Sequence, residues 1–240
     1  MRFDAYSYTD KGGRGYNEDS VGFLADENRG LFVVADGLGG HSLGEVASKC
    51  VIDTLISSWP TERDDLKEWV RERLYEANRN VLNLQKERNA ITKSTAVFLT
   101  VLNGLAVWGH VGDSRLYYIH DGRLICCTED HSVAFKKFKA GEITKEQIAL
   151  DEDQSQLLRS LGSEDRNEPT IGVLSFLVEP GDAFFLCSDG AWEFLMDEEI
   201  VIDHCKSMDA KQWNEWLRLR MMDRVTSNHD NLSLLTVMVS

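Results

Sequence analysis

Basic charge is scarce in this chain. Its 240 residues carry 26 Lys and Arg against 40 Asp and Glu, a formal net charge of -14. That balance excludes the Lys- and Arg-rich surfaces that hold nucleic acid or anionic membranes by neutralising phosphate. Metal-type cysteine spacing is missing too. Cys50, Cys126, Cys127, Cys187 and Cys205 form an odd set without a CxxC pair, so neither a disulfide framework nor a zinc site is indicated, and a reducing compartment suits them. No apolar h-region follows Met1-Arg2-Phe3-Asp4-Ala5-Tyr6, which argues against a secretion signal and predicts a cytoplasmic protein. One uncharged run, Ser94 to Gly112, has the length of a membrane span, but Asn103-Gly104 breaks it in the middle. Flanked by Thr95 to Leu102 and Leu105 to Val111, that dipeptide marks a tight hairpin turn between two buried strands.

What is present fits one domain, 1–240, since a chain of this length buries roughly 70% of its unfolded surface. Arg115 to His120 and Arg123 to Cys127 flank Asp121-Gly122 in the same way, so the middle of the chain reads as an antiparallel meander. Leu31 to Ala35, Asp182 to Cys187 and Asn231 to Val239 read as further strands. Leu66, Trp69, Val70, Leu74, Ala77, Val81 and Leu84 recur at helical spacing. A second helix is expected over Leu43 to Ile56, and Trp213, Trp216, Leu217 and Met221 suggest a third. Runs of strands and runs of helices predict an α+β fold, a four-layer α-β-β-α sandwich of two mainly antiparallel sheets flanked by helices. The polar segment 132–155, with Lys136-Lys137 and Asp151-Glu152-Asp153, reads as a flap over one end or as a solvated connector.

Four apolar runs end or begin at an aspartate: Asp36, Asp113, Asp189 and Asp230. Carboxylates brought together resist joint ionisation, so several charged ones in one place call for a cation. Oxygen ligands without Cys or His pairs favour Mg²⁺ or Mn²⁺. Taken singly, an Asp-Gly reads as a turn before it reads as a ligand, and Asp121-Gly122 is such a turn. In Asp36-Gly37-Leu38-Gly39-Gly40-His41, three glycines in four positions demand close backbone approach or positive φ, and a bound ion or phosphate would supply a reason. Arg14, four residues before Glu18-Asp19, suits a phosphate dianion, although taken alone such an Arg is more often part of a surface ion pair.

Together, Arg14-Gly15-Tyr16-Asn17-Glu18-Asp19, Asp36-Gly37-Leu38-Gly39-Gly40-His41, Gly112-Asp113-Ser114-Arg115, Leu158-Arg159-Ser160-Leu161-Gly162, Ser188-Asp189-Gly190 and His229-Asp230-Asn231-Leu232-Ser233 resemble the metal-dependent protein phosphatase family. These are the type 2C serine/threonine phosphatases, and the size suggests the bacterial type. The resemblance implies two Mn²⁺ or Mg²⁺ ions, with Asp36 bridging, the Gly37 carbonyl on one ion, and Asp189 and Asp230 completing the pair. It implies a third, weaker ion at Asp113 and Asp189. Glu18 would act through water and Asp19 as a supporting carboxylate. Arg14 would hold the substrate phosphate and His41 would protonate the leaving oxygen. The implied partners are phosphorylated proteins, including an autophosphorylated Ser/Thr kinase, and the expected state is a monomer. Ala191 stands where the family carries a larger apolar residue, a difference of packing.

Two other readings compete for the same loop. Gly40-His41-Ser42-Leu43-Gly44 matches the G-x-S-x-G elbow of serine hydrolases, but Asp36 to Gly40 separate Ser42 from the strand and the antiparallel pattern does not suit that fold. Ser42 with Glu45 reads more simply as a capping box. A non-catalytic phosphoprotein binder is disfavoured because Arg14, Asp36, His41, Asp189 and Asp230 are all present. His110 reads as a core histidine and His131 as a loop residue, neither a ligand. The tryptophans read as packing.

Overall fold

All seven residues of one strand, Ala96–Leu102, are buried, which is why the run tolerates no charge: both of its faces are covered. In the computed structural model, which describes residues 1–39, 43–57, 59, 65–165 and 167–240, that strand belongs to one of two stacked sheets. The elements are β1 (Phe3–Asp10), β2 (Asp19–Asp26), β3 (Arg29–Gly39), α1 (Leu43–Ile56), α2 (Leu66–Arg88), β4 (Thr92–Ser94), β5 (Ala96–Leu102), β6 (Leu105–Val111), β7 (Arg115–His120) and β8 (Arg123–Cys127). They continue with α3 (Val133–Lys139), a 3₁₀ turn (Lys145–Leu150), β9 (Thr170–Val173), β10 (Ala183–Cys187), α4 (Asp189–Trp192), α5 (Asp197–Cys205), α6 (Ala210–Met222) and β11 (Leu232–Val239).

One sheet runs β1-β11-β10-β7-β8 and the other β2-β3-β5-β6-β9, with β4 beside β3; every pairing is antiparallel. Alternation along β3 shows how the layers form. Leu31, Val33 and Ala35 face α1 and α2, while Phe32 and Val34 enter the inter-sheet core with Val97, Leu99, Leu116, Tyr118, Phe184 and Leu186. On the other sheet Tyr117, Phe185, Leu232 and Leu234 pack under Ile200, Trp213 and Leu217 of α5 and α6. The expected four-layer sandwich is present, with helices over both outer faces.

Both hairpins form where Asn-Gly and Asp-Gly occur. Asn103 and Gly104 take φ of 50° and 84°, and Asp121 and Gly122 take 48° and 65°, the positive pair that a type I′ turn requires. The meander does not form. β6 and β7 lie in different sheets, and Gly112-Asp113-Ser114 carries the chain between them. Gly112, at φ 103° with a would-be Cβ 2.6 Å from the Thr95 methyl, accepts a backbone shape that turns the chain across the sandwich instead of back along it.

α1 matches the expected span, and α2 extends past Leu84 to Arg88, where Asn89 caps it in the left-handed region at φ 47°. α6 carries Trp213, Leu217 and Met221 inward, but Trp216 is 38% exposed under Lys206 and is not packing. The segment 132–155 is helical, holding α3 and the 3₁₀ turn. Ser132 caps α3, and Lys137 pairs with Asp151 and Asp153, so much of the acidic run is neutralised from within. All five cysteines are free. Among the described residues no helix is long and apolar enough to cross a membrane.

Candidate active site

At one end of the sandwich a cleft of about 420 Å³ is lined by Arg14, Glu18, Asp36, Gly37, Asp113, Asp189 and Asp230, with Ser155 and Leu157 from beside the flap. Its floor is built from strand register. Asp19 at the start of β2 pairs with Asp36 in β3. β3 continues three residues beyond Asp36, exchanging β5 for β4 as its partner. Main-chain bonds anchor Asp36: its N–H donates to Thr95 Oγ1 (2.9 Å) and its carbonyl accepts from Thr95 N (2.8 Å) and Ser94 Oγ (3.0 Å).

Asp189 follows β10 and opens α4, where its Oδ1 accepts from its neighbour Gly190 N–H at 2.7 Å. Asp230 precedes β11; its Oδ1 accepts from Asn231 N–H and its Oδ2 from Arg14 Nη2, both at 2.8 Å. Asp113 sits on the crossing between sheets, 3% exposed, with its carbonyl accepting from Trp192 Nε1 at 2.9 Å. Glu18 Oε1 accepts from Gly44 N–H at the start of α1 (3.1 Å). His41, Gly40 and Ser42 lie outside the described residues.

Electrostatics mark the cleft as frustrated. Burial, then the charges of Asp189, Asp19, Asp113 and Asp230, push Asp36 well above the carboxylate range. Burial and then Asp189 do the same to Asp113. Burial raises Asp19 to about 7, countered by Ser188, and burial with Asp230 raises Asp189 to about 6. Glu18 is raised, again first by burial. Asp19 Oδ1 and Asp113 Oδ1 are buried without a hydrogen-bond partner. Orphaned carboxylate oxygens among like charges are costly unless a cation joins them.

Among the described residues, no group of three or more His, Cys, Asp or Glu closes into a ready-made metal cage. The carboxylates stand around an open wall instead. That donor set fits hard cations that keep several waters, such as Mg²⁺ or Mn²⁺, and does not fit zinc.

For Gly37 and Gly39 the structure shows one of the two reasons expected, close backbone approach. Neither Gly37 nor Gly39 has positive φ. A Cβ on Gly37 would lie 2.0 Å from the Gly44 carbonyl oxygen and one on Gly39 3.1 Å from Gly44 N, so the close approach they permit is to the first turn of α1.

Two organising residues carried no role in the sequence reading. Ser188 donates to Asp19 Oδ2 (2.7 Å) and accepts from Ser233 N–H (2.9 Å). Asn231 accepts from Glu18 N–H (2.8 Å) and donates to the Lys11 and Tyr16 carbonyls (2.8 and 2.9 Å). Each stands next to a cleft aspartate in sequence, which was the only available signal. Trp192 adds a third: its ring lies 3.5 Å from the Arg115 guanidinium, which is itself paired with Asp130 at 2.6 Å.

An α-β-β-α sandwich with acidic strand ends around an open cleft suits a hydrolase that uses divalent cations. A family model for protein phosphatase 2C matches residues 14–222, and the chain belongs to that family. It is 32% identical over 214 residues to the serine/threonine phosphatase Stp of Listeria welshimeri, covering 85% of this chain and 84% of that one. The Mycobacterium tuberculosis serine/threonine phosphatase PstP superposes with a TM-score of 0.86 at 27% identity over the whole of both chains. The PstP catalytic domain in complex with two manganese ions gives 0.84 at 26%, covering 99% of this chain and 98% of the other. The protein is therefore a bacterial-type serine/threonine protein phosphatase. The antiparallel sheets also differ from the mainly parallel sheet on which a G-x-S-x-G nucleophile elbow is built.

Proposed function

We propose that the cleft holds two Mn²⁺ or Mg²⁺ ions and hydrolyses phosphoserine and phosphothreonine on proteins. Asp36, the Gly37 carbonyl, Asp189 and Asp230 would hold the pair, and Asp113 with Asp189 a third ion. Glu18 would act through water, with Asp19 in support. The observation that carries this reading is the meeting of Asp36, Asp113, Asp189 and Asp230, from four separate chain segments, around one cleft in which Arg14 on Asp230 is the one cation paired with them among the described lining residues.

When bound, the cations would make a water nucleophilic near neutral pH and offset charge on the phosphoryl group. The chain's own groups do the rest. Arg14, 55% exposed and bonded to Asp230, holds the phosphate with a guanidinium whose N–H donors match phosphate oxygens. His41 gives a proton to the departing serine or threonine oxygen. Glu18 keeps its place by accepting the Gly44 N–H, and Ser188 holds Asp19. Ser155 and Leu157 narrow the cleft over the substrate. The acting form is a monomer in the cytoplasm, and its substrates include an autophosphorylated Ser/Thr kinase.

The test is hydrolysis of an aryl phosphate and a phosphothreonine peptide by purified protein with Mn²⁺, Mg²⁺ or EDTA, beside an aryl ester. Phosphate release that needs metal, with no ester cleavage, is the expected result. Metal-independent ester cleavage would make Ser42 the nucleophile. Replacing His41 by Ala should slow the phosphoserine peptide more than the aryl phosphate, whose leaving oxygen scarcely needs a proton; equal losses would remove His41 from that role.

A further inference from the structure

His131 stands where the chain leaves β8 and enters the flap, directly before Ser132, the N-cap of α3. Its main chain is held on both sides. His131 N–H donates to the Gly112 carbonyl (2.9 Å), and Leu158 N–H, at the far end of the flap, donates to the His131 carbonyl (2.7 Å). The side chain repeats the first link in reverse, because Gly112 N–H donates to Nδ1 at 3.2 Å. Nδ1 is therefore the bare nitrogen and Nε2 carries the proton. Nε2 faces Thr170 Oγ1 at 2.9 Å. Arg159, 3.4 Å from Nε2, donates to the Glu168 carbonyl (3.2 Å) and Thr170 Oγ1 (3.4 Å).

The ring is further fixed by stacking on buried His110, with centroids 4.6 Å apart and planes 13° from parallel. His110 Nε2 in turn donates to the Glu129 carbonyl (2.8 Å). Burial, with His110 and Arg159 beside it, pushes the His131 imidazole down to about 3, so it stays neutral and Nδ1 stays an acceptor. On the flap side, Ser132 bridges Leu157, and Val133 N–H donates to the Gln156 carbonyl (2.9 Å). Leu157 and Asp113 both line the cleft.

We propose that His131 is a positioning residue that joins the base of the flap to the Gly112-Asp113 crossing, so that one imidazole sets both the Asp113 carboxylate and the lid over the cleft. The proposal rests on the reading of Asp113 as a metal-holding carboxylate. Its two ring nitrogens hold the base of the flap to the sheet at two points: Nδ1 to the crossing through Gly112, and Nε2 to the start of β9 through Thr170. Outer groups that orient a metal ligand typically govern roughly 10–100-fold in affinity or activity.

The variants His131→Ala and His131→Asn separate the two contacts, since the Asn oxygen takes the place of Nδ1 and nothing takes the place of Nε2. In metal-free protein, His131→Ala should lose hydrogen-exchange protection at the Gly112 amide, and His131→Asn should keep it. With Mn²⁺, His131→Ala should raise the metal concentration for half-activation and lower kcat on an aryl phosphate, each by about tenfold or more. His131→Asn should return both to within a few-fold of the parent while KM for a phosphothreonine peptide stays raised. Wild-type kinetics with only a lowered melting temperature in His131→Ala, or equal losses in both variants, would overturn the proposal. Imidazole ¹⁵N shifts of the unmutated, metal-free protein give a check that needs no variant to fold: an Nε2–H tautomer is expected, and an Nδ1–H tautomer would overturn it. Asp113→Asn locates any failure. Unchanged metal dependence there would defeat the reading of Asp113 itself, whereas raised metal dependence beside an innocuous His131→Ala would defeat only the link.

Discussion

The two ends of β10 each carry an aspartate withdrawn from solvent, Asp182 fully and Asp189 in part, and the protein treats them oppositely. Asp182, just before the strand and 2% exposed, accepts from Tyr118 Oη (2.9 Å), His120 Nδ1 (2.6 Å) and Glu179 N–H (2.9 Å). Asp189, two residues after the strand, is flanked by carboxylates that raise it and its neighbours. A strand of five residues thus separates a carboxylate met by three donors from one crowded by like charges. Burial alone does not mark function. What marks it is burial whose cost the protein itself leaves uncompensated, and the cleft concentrates that cost at one end.

Breaking the cleft end should have the largest effect on turnover and little on folding. Asp36→Asn is expected to lower phosphatase activity on the order of 10³-fold, about 4 kcal/mol of transition-state stabilisation, while the metal-free melting temperature holds or rises because one repelling charge is gone. Retained activity in steady-state assays would remove Asp36 from the site.

The next largest effect concerns a compensated carboxylate close to the cleft. Arg115→Ala strips the buried Asp130 of its bidentate partner and takes the cation off Trp192, which holds the Asp113 carbonyl. Urea unfolding should show a loss of about 3–5 kcal/mol. At the far end, Asp182→Ala should cost about 1–3 kcal/mol through the unpaired Tyr118 hydroxyl and Glu179 N–H, with kcat on an aryl phosphate unchanged. A large kcat loss there would erase the contrast between the two ends.

Acidity sharpens the same contrast. Asp19 and Asp189 have folded values of about 7 and about 6, above the ordinary 3.8, so the folded state binds more protons than the unfolded one between these limits. Their contribution therefore favours the fold at pH 4 and is lost as pH rises towards 7. Thermal melting of metal-free protein should show this fall, Mn²⁺ at neutral pH should reverse it, and Asp19→Asn should flatten it. The smallest change is expected from Lys137→Ala in the flap. Its pairs with Asp151 and Asp153 are partly exposed and contribute less than about 1 kcal/mol, so any effect belongs in the peptide KM rather than in stability.

Much of the fold was legible because the signals were local. Asn103-Gly104 and Asp121-Gly122 dictate turns through their own φ preferences, and the period of Leu66 to Leu84 builds α2 whatever it packs against. The edge strands β1, β2 and β9 were not legible. β9 is short, and β1 and β2 mix polar and apolar residues on faces that the sandwich covers incompletely, so neither strict alternation nor a continuous apolar run appears. α5 escaped because nine residues give too few turns for a period to show.

The cleft aspartates could be named from sequence, yet their state could not. Asp113 and Asp130 are both buried acids on either side of the β7–β8 hairpin. One keeps an orphan oxygen and the other receives Arg115, a difference that depends on partners far apart in the chain. His131 does lie in a loop, as read, but its partners Gly112, Leu158 and Thr170 meet it only after folding.

By itself the sequence determined the turns, the main helices, the uncharged core strands and the set of acids able to serve a cation, because each rests on the chemistry of neighbouring residues. Only the tertiary structure decided that β6 and β7 part into different sheets, which acids are compensated, and that one imidazole meets both Gly112 and Thr170. Those outcomes are settled by the packing of segments up to the full chain length apart, where burial sets the cost of every charge left unpaired.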